Sequence, residues 1–438
     1  MTGWHSLNIA LFEDEKYRYF QPLTYTRPVY ELRLGLYSLR ERVSKYFGDI
    51  RYLFTREYLK EVYKEFLENK KLSFEAVNPK HELDDILLIN GRLVMSKDFA
   101  DLIKEKVAKA EEFAIFKGKT LIVAKFKKIE EEKLELLINQ NITEIIKALP
   151  FSEIFNFESA KTIDYPWELL KENNNYLKQD IEESSFKNLE EPSCKCSLYG
   201  SLNKVLVGEN VVLEDFIVLD TRNGPILIDD SATVKAFSVI KGPTYIGKYS
   251  VITEFTKVRE GSNIGEHCKI GGEVVNIIMH GFANKVHEGF VGRSYIGEWV
   301  NLGAATVTSD LKNTFGTVKM ELDGKRVDTG LRKLGSFIGD MAKTAIGTKI
   351  YTGKKIGVAA QLYGTVSTDV PSFTIYAKTL GAKPIEVYLD SVIKSQRKMM
   401  TSRGITMTKN YEELIKRLFL LTESERSKFG VKKSVFRL

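Results

Sequence analysis

Residues 228–274 read IDDSATVKAFSVIKGPTYIGKYSVITEFTKVREGSNIGEHCKIGGEV, and the spacing within this stretch decides the fold. An aliphatic residue returns at every sixth position: Ile228, Val234, Ile240, Ile246, Ile252, Val258, Ile264 and Ile270. Four places after each stands a small or β-branched residue: Ala232, Ser238, Thr244, Ser250, Thr256, Ser262, Cys268 and Val274. On a helix, residues six apart point in different directions and bury no common face. Six is a whole number of strand periods, so a strand and a turn repeated at this interval return the aliphatic side chain inward each time. Glycine directly follows the aliphatic at Gly247, Gly265 and Gly271, and again at Gly297, Gly303, Gly339, Gly347 and Gly357. An ordinary β-meander does not hold one period so strictly; the pattern predicts a parallel β-helix from about Val207 to Gly364.

The rhythm has three interruptions. Val207, Leu213 and Leu219 run three residues out of phase with Ile228, which places a small excursion at 221–225. The period fails from Asn276 to Phe290 and resumes at Ile296 and Leu302; it fails again from Thr308 to Lys333 before Ile338. Both longer breaks are expected to be loops that leave the solenoid, where binding groups concentrate. His267, His280 and His287 lie in or beside the first of them.

Upstream, apolar and amphipathic segments alternate. Asn8–Phe12, Ile50–Phe54 and Leu83–Asn90 are expected strands; Glu31–Tyr46, Glu57–Asn69 and Ser96–Lys109 are expected helices. Lys127–Asn174 reads as mainly helical, with Pro166 in the first turn of a helix. This alternation predicts an α/β layered domain with any ligand at the strand C-terminal ends. The expected organisation is residues 1–183 for that domain, 184–198 for a connector, 199–366 for the β-helix and 367–438 for a strap and two helices, Ile385–Arg403 and Tyr411–Lys428.

Lys and Arg number 65 against 58 Asp and Glu in 438 residues, an excess too small for a nucleic-acid binder. Cys194, Cys196 and Cys268 lack zinc-ligand spacing and point to a reducing compartment. With no apolar run near membrane-spanning length and no signal core in Met1–Phe20, a cytoplasmic protein is expected.

One run narrows the reading. KVHEGFVG at 285–292, followed by YIGEWVNLGAAT at 295–306, resembles the acetyltransferase site of the bifunctional N-acetylglucosamine-1-phosphate uridylyltransferase/glucosamine-1-phosphate acetyltransferase family. LTYTRP at 23–28, ELRLG at 31–35 and YPWELL at 165–170 resemble the divergent, alternative sugar-nucleotidyltransferase form of that family. The resemblance implies a nucleotidyltransferase-like (Rossmann-like) α/β domain, then a left-handed parallel β-helix of hexapeptide repeats and a helical C-terminal tail, assembled as a homotrimer. It also implies acetyl transfer from acetyl-CoA to an amino-sugar 1-phosphate, and nucleotidyl transfer from a nucleoside triphosphate to a sugar 1-phosphate to give a sugar nucleotide.

By the same resemblance His287 matches the catalytic base, suited by a pKa near neutrality to take a proton from an attacking amine. Arg259, Asn284, Lys285 and Asn301 match substrate-binding positions, Arg259 as a guanidinium fork for the sugar phosphate. Ala304 and, one coil later, Ala359 match backbone contacts to acetyl-CoA. Arg27 sits where the N-terminal loop meets substrate. The chain also departs from the family: Phe290 replaces a tyrosine, Val275 a lysine, and Glu13–Phe20 a glycine-rich phosphate loop. Asn90-Gly91-Arg92 puts a cation where an aspartate would hold Mg2+, with Asp164 an alternative metal ligand by position. Two other readings stay open: a non-catalytic sugar-nucleotide-binding scaffold, and a nucleotidyltransferase with a structural β-helix.

Overall fold

The computed structural model describes residues 7–148, 153–191 and 195–436, so Cys194 lies outside the described residues, as does part of the expected connector. Two compact units emerge: one holds the chain up to Phe20 with Thr26–Leu32 and Tyr37–Pro166, the other Gln21–Tyr25, Arg33–Leu36 and Trp167 onward.

In the first unit, seven strands form one sheet: β1 (Asn8–Phe12), β2 (Tyr52–Leu53), β3 (Ala76–Val77), β4 (Leu83–Asn90), β5 (Phe113–Lys117), β6 (Thr120–Ile129) and β7 (Glu153–Asn156). Their spatial order is β3-β2-β1-β4-β6-β5-β7. β1 pairs in parallel with both β2 and β4, whereas β4–β6 and β6–β5 are antiparallel. Residues 9–12 and 86–90 are buried on both sides, as a sheet covered on both faces requires. Successive strands step outward from β1 in opposite directions, to β2 and to β4. The crevice beyond their C-terminal ends is therefore the topological switch point.

The helix expected over Glu31–Tyr46 is shorter, Leu39–Phe47. Gly35 lies in the left-handed region at φ 64°, which ends any continuous helix, and Ser38 starts the helix afresh. Its hydroxyl accepts from the Glu41 amide at 3.2 Å, and the Glu41 carboxylate accepts from the Ser38 amide at 2.7 Å, a reciprocal cap. The mainly helical reading of Lys127–Asn174 also fails in part: β6 runs to Ile129, and β7 interrupts the helices. Residues 149–152 of that stretch lie outside the described residues.

The second unit is dominated by a parallel β-helix of three faces. Val205–Val207, Ile226–Ile228, Thr244–Ile246 and Ser262–Glu266 begin the first; Val212–Leu213, Thr233–Val234, Val251–Ile252 and Lys269–Ile270 the second; Cys196–Tyr199, Ile217–Asp220, Val239–Lys241, Lys257–Val258 and Glu273–Val275 the third. Ile228 pairs with Ile246 and Ile246 with Ile264, eighteen residues per coil. All eight aliphatics of the hexads are fully buried in one continuous core. Each such side chain contributes roughly 1.5–3 kcal/mol. Corner residues between the second and third faces take left-handed backbone at Phe216, Phe237 and Phe255, and their exposed rings stack at 5.3 and 5.2 Å.

The interruptions resolve differently. Leu219 pairs with Ile240, so the excursion at 221–225 is a coil lengthened to twenty-one residues. The break at Asn276–Phe290 is not a loop leaving the solenoid: Ile264 pairs with Met279 and Ile270 with Lys285, a coil shortened to fifteen. The break at Thr308–Lys333 does leave it, as an antiparallel hairpin, Lys319–Leu322 with Lys325–Asp328. Downstream, Thr374–Tyr376 extends the second face and Ile385–Glu386 pairs beside it. The two expected C-terminal helices become three, because Ile385–Glu386 is strand and Thr422 separates Lys409–Leu421 from Glu423–Phe429. No described helix is long and apolar enough to cross a membrane.

Candidate functional site

His287 stands, exposed, at the corner between the second and third faces, on the coil that follows the shortened one. The inward positions Ile252 and Val258 are six apart, whereas Ile270 and Val274, their partners one coil on, are four apart. Gly271 and Gly272 carry the chain through this tighter corner. A Cβ at Gly271 would lie 1.8 Å from the Val286 carbonyl oxygen, and one at Gly289, where φ is 131°, 2.2 Å from that of Thr306. Only glycine lets the coils approach so closely on either side of His287. One coil further, the Ala305 amide donates to the Glu288 carbonyl at 2.9 Å and the Ala304 carbonyl accepts from Gly347 at 2.8 Å. Ala304 thus belongs to the His287 corner.

The other expected residues distribute unevenly. Asn284 and Asn301 are register partners on the second face, three residues before the histidine corner and one coil apart. Asn284 is already engaged: Arg403 donates to its carboxamide oxygen at 2.6 Å and to the His267 carbonyl at 3.2 Å. Nothing in the local sequence signals Arg403, which follows the helix Leu389–Thr401 and reaches this face only through the tertiary fold. Arg259 lies at the far edge of the third face, paired with Glu260 and Glu273 at 3.2 Å each. Ala359 lies apart from this corner: it occupies the preceding corner, between the first and second faces, and is 3% exposed. Lys285 does not face outward with the asparagines. Pairing with Ile270, it points into the core, 1% exposed, and donates to the carbonyls of Gly271 at 2.9 Å and of His287. Burial pulls its pKa down to about 8, against the opposing pull of Glu288. Of the other histidines, His267 stacks between Tyr249 and Phe282, and His280 approaches the Tyr295 hydroxyl at 3.2 Å.

In the first unit, the ends of β1 and β4 bring together a saturated ionic cluster. Within Glu13–Phe20, read from sequence as replacing a phosphate loop, Glu15–Phe20 forms a short 3-10 helix. Arg92, fully buried, donates to Asp14 at 2.8 Å through Nε and pairs with Asp164 through Nη1. Asn90 donates to Asp14 at 2.9 Å, and Lys16 to Asp164 at 3.0 Å. Burial alone would raise the Asp14 carboxyl, but Arg92, with Asn90 and Lys16, holds it below its usual range. Asp164 is lowered in the same way by Arg92 and Lys16 against its own burial. Beside them Glu13 accepts from Val29 and Thr55 at 2.7 Å each and pairs with Arg56. Arg27 is buried here, its carbonyl accepting from Arg56 at 2.7 Å. These residues do not fit Mg2+. Asp164, the alternative ligand by position, and Asp14 beside it are both committed to the Arg92 guanidinium, and among the described residues no group of three His, Cys, Asp or Glu is placed to hold a metal ion.

Residues 9–185 match the family described as sugar nucleotidyl transferase. A bifunctional sugar-1-phosphate nucleotidylyltransferase/acetyltransferase of Sulfurisphaera tokodaii is 33% identical over 34% of this chain and 38% of its own length. The bifunctional protein GlmU of Methanocaldococcus jannaschii is 27% identical over 63% of this chain and 69% of its length. The chain is similar to GlmU proteins at modest identity. A third similar protein, GlmU of Methanococcus vannielii, is 28% identical over 60% of this chain and 56% of its length. The chain thus spans between about two-fifths and about two-thirds of the length of the curated relatives it matches.

Proposed function

We propose that this chain is a two-part enzyme of sugar-nucleotide synthesis, whose β-helix transfers an acetyl group from acetyl-CoA to the amine of an amino-sugar 1-phosphate. The observation that carries this reading is the exposed His287 on a glycine-lined corner, with Asn301 and Ala304 on the next coil. In the reaction, the sugar amine attacks the thioester carbonyl as the His287 imidazole takes the amine proton. Backbone amides stabilise the oxyanion that forms. The intermediate then collapses, the carbon–sulfur bond breaks, and coenzyme A leaves as thiolate and gains a proton. No covalent enzyme intermediate is formed. Asn301, and Asn284 with Arg403, would orient the sugar, while Arg259 would have to release Glu260 or Glu273 to grip a phosphate. The reading includes a cytoplasmic homotrimer with acyl sites between neighbouring β-helices; light scattering that gives a monomer opposes it. A screen of amino-sugar phosphates with acetyl-CoA, following coenzyme A release, tests the activity: His287→Ala that retains full release refutes the assignment.

For the first unit, the Asp14–Arg92–Asp164 cluster favours a second reading, binding of a sugar nucleotide without Mg2+-assisted nucleotidyl transfer. Pyrophosphate release from nucleoside triphosphate and sugar 1-phosphate in the presence of Mg2+ would overturn it.

A further inference from the structure

The inward column of the second face runs Val234, Ile252, Ile270, Lys285, Leu302, so an ammonium-bearing chain stands among aliphatics. A lysine there costs desolvation, and the reason it is accommodated lies in the corner above it. In neighbouring coils a hydroxyl inside the corner holds the turn together: Thr256 donates to the Thr253 carbonyl at 2.6 Å, and Thr348 to that of Ala345 at 2.8 Å. The corresponding residue after Lys285 is Gly289, and the shortened corner of the preceding coil has Gly272; neither supplies a hydroxyl. The Lys285 ammonium occupies the space they leave, so that a Cβ at Gly272 would lie 3.0 Å from Nζ. Its two bonds tie the Gly271 carbonyl on one coil to the His287 carbonyl on the next.

We propose that Lys285 is a positioning residue: from inside the solenoid, its ammonium fixes the peptide that carries His287 and so aims an imidazole that has no scaffold of its own on the surface. The proposal rests on the acetyl-transfer reading of His287 for its catalytic consequence, but not for the tie itself. Lys285→Met keeps length and volume while restoring an apolar side chain to the column, so the variant is expected to fold at least as stably as the native chain. Amide hydrogen exchange of a peptide covering Val286–Phe290 is expected to speed up by about tenfold or more. The kcat for coenzyme A release is expected to fall on the order of 10- to 100-fold, with KM for acetyl-CoA unchanged. A merely space-filling lysine would instead leave both exchange and kcat at native values, and that result overturns the proposal, as does unchanged exchange alone. If the native chain releases no coenzyme A with any amino-sugar phosphate, the acetyl-transfer reading fails, and the exchange measurement alone decides whether Lys285 ties the corner.

Discussion

The switch point of the α/β unit and the histidine corner of the β-helix place charged groups by opposite means. At the first, Arg92 and Asp14 are withdrawn from water, Asp164 is partly so, and the three satisfy one another. At the second, the imidazole is exposed, and the cation lies beneath it, bonded only to backbone carbonyls. A cluster whose donors and acceptors are matched internally has little left for a ligand; an exposed imidazole on a pinned turn has its whole valence free for one. The difference argues for chemistry in the solenoid and structural or binding duty in the sheet.

The comparison breaks first at His287. His287→Ala is expected to lower acetyl transfer by about 100- to 10,000-fold, with the melting temperature unchanged; coenzyme A release at native rate would erase the contrast. Next, Arg92→Leu leaves Asp14 and Asp164 without the guanidinium they share, only Lys16 remaining beside Asp164, which is expected to cost roughly 3–5 kcal/mol in denaturant unfolding of the chain. A loss below about 1 kcal/mol would mean that the cluster is open enough to take a phosphate or a metal. Smaller effects follow from pH. Asp14 is depressed in the folded chain, so its contribution is present above the unfolded carboxylate pKa and is lost as pH falls through the lowered value. Lys285 gives the same slope in an alkaline window: with a folded pKa of about 8, the folded state carries fewer protons than the unfolded one between there and the ordinary lysine value of 10.5. Native stability relative to Lys285→Met is therefore expected to rise across that interval and to level off above it. The groups facing the ammonium are Glu288 and the Gly271 and His287 carbonyls. A flat difference between the two chains would place the lysine in solvent. Smallest of all, millimolar Mg2+ is expected to leave the melting temperature unchanged, because its oxygens are already paired; a rise of several degrees would reopen the switch point as a metal site.

What the sequence disclosed follows from how local each feature is. The hexads were legible because inward packing is set every six residues by single side chains, and Leu83–Asn90 and Ser96–Lys109 because period and cap agree there. The helix at Glu31–Tyr46 was misjudged because its amphipathic pattern continues across Gly35, where backbone conformation outweighs periodicity. The direction of Lys285 was hidden for a different reason. A lysine beside Asn284 and His287 reads as surface, and only the loss of three residues from the preceding coil, two of them between Ile270 and Val274, shows that it falls in the aliphatic column. Arg403 and the triad Asp14, Arg92 and Asp164 are contacts between distant segments, which no window of sequence displays.

The hairpin Lys319–Leu322 and Lys325–Asp328 gives the protein a practical handle. Leu302 resumes its column at Thr344 as though the intervening residues were absent, and the hairpin turns at Asp323 and Gly324, both with left-handed backbone. Foreign sequence spliced between those two residues would be carried outside the winding, so a fluorophore or affinity tag placed there should report on the molecule without disturbing a single coil.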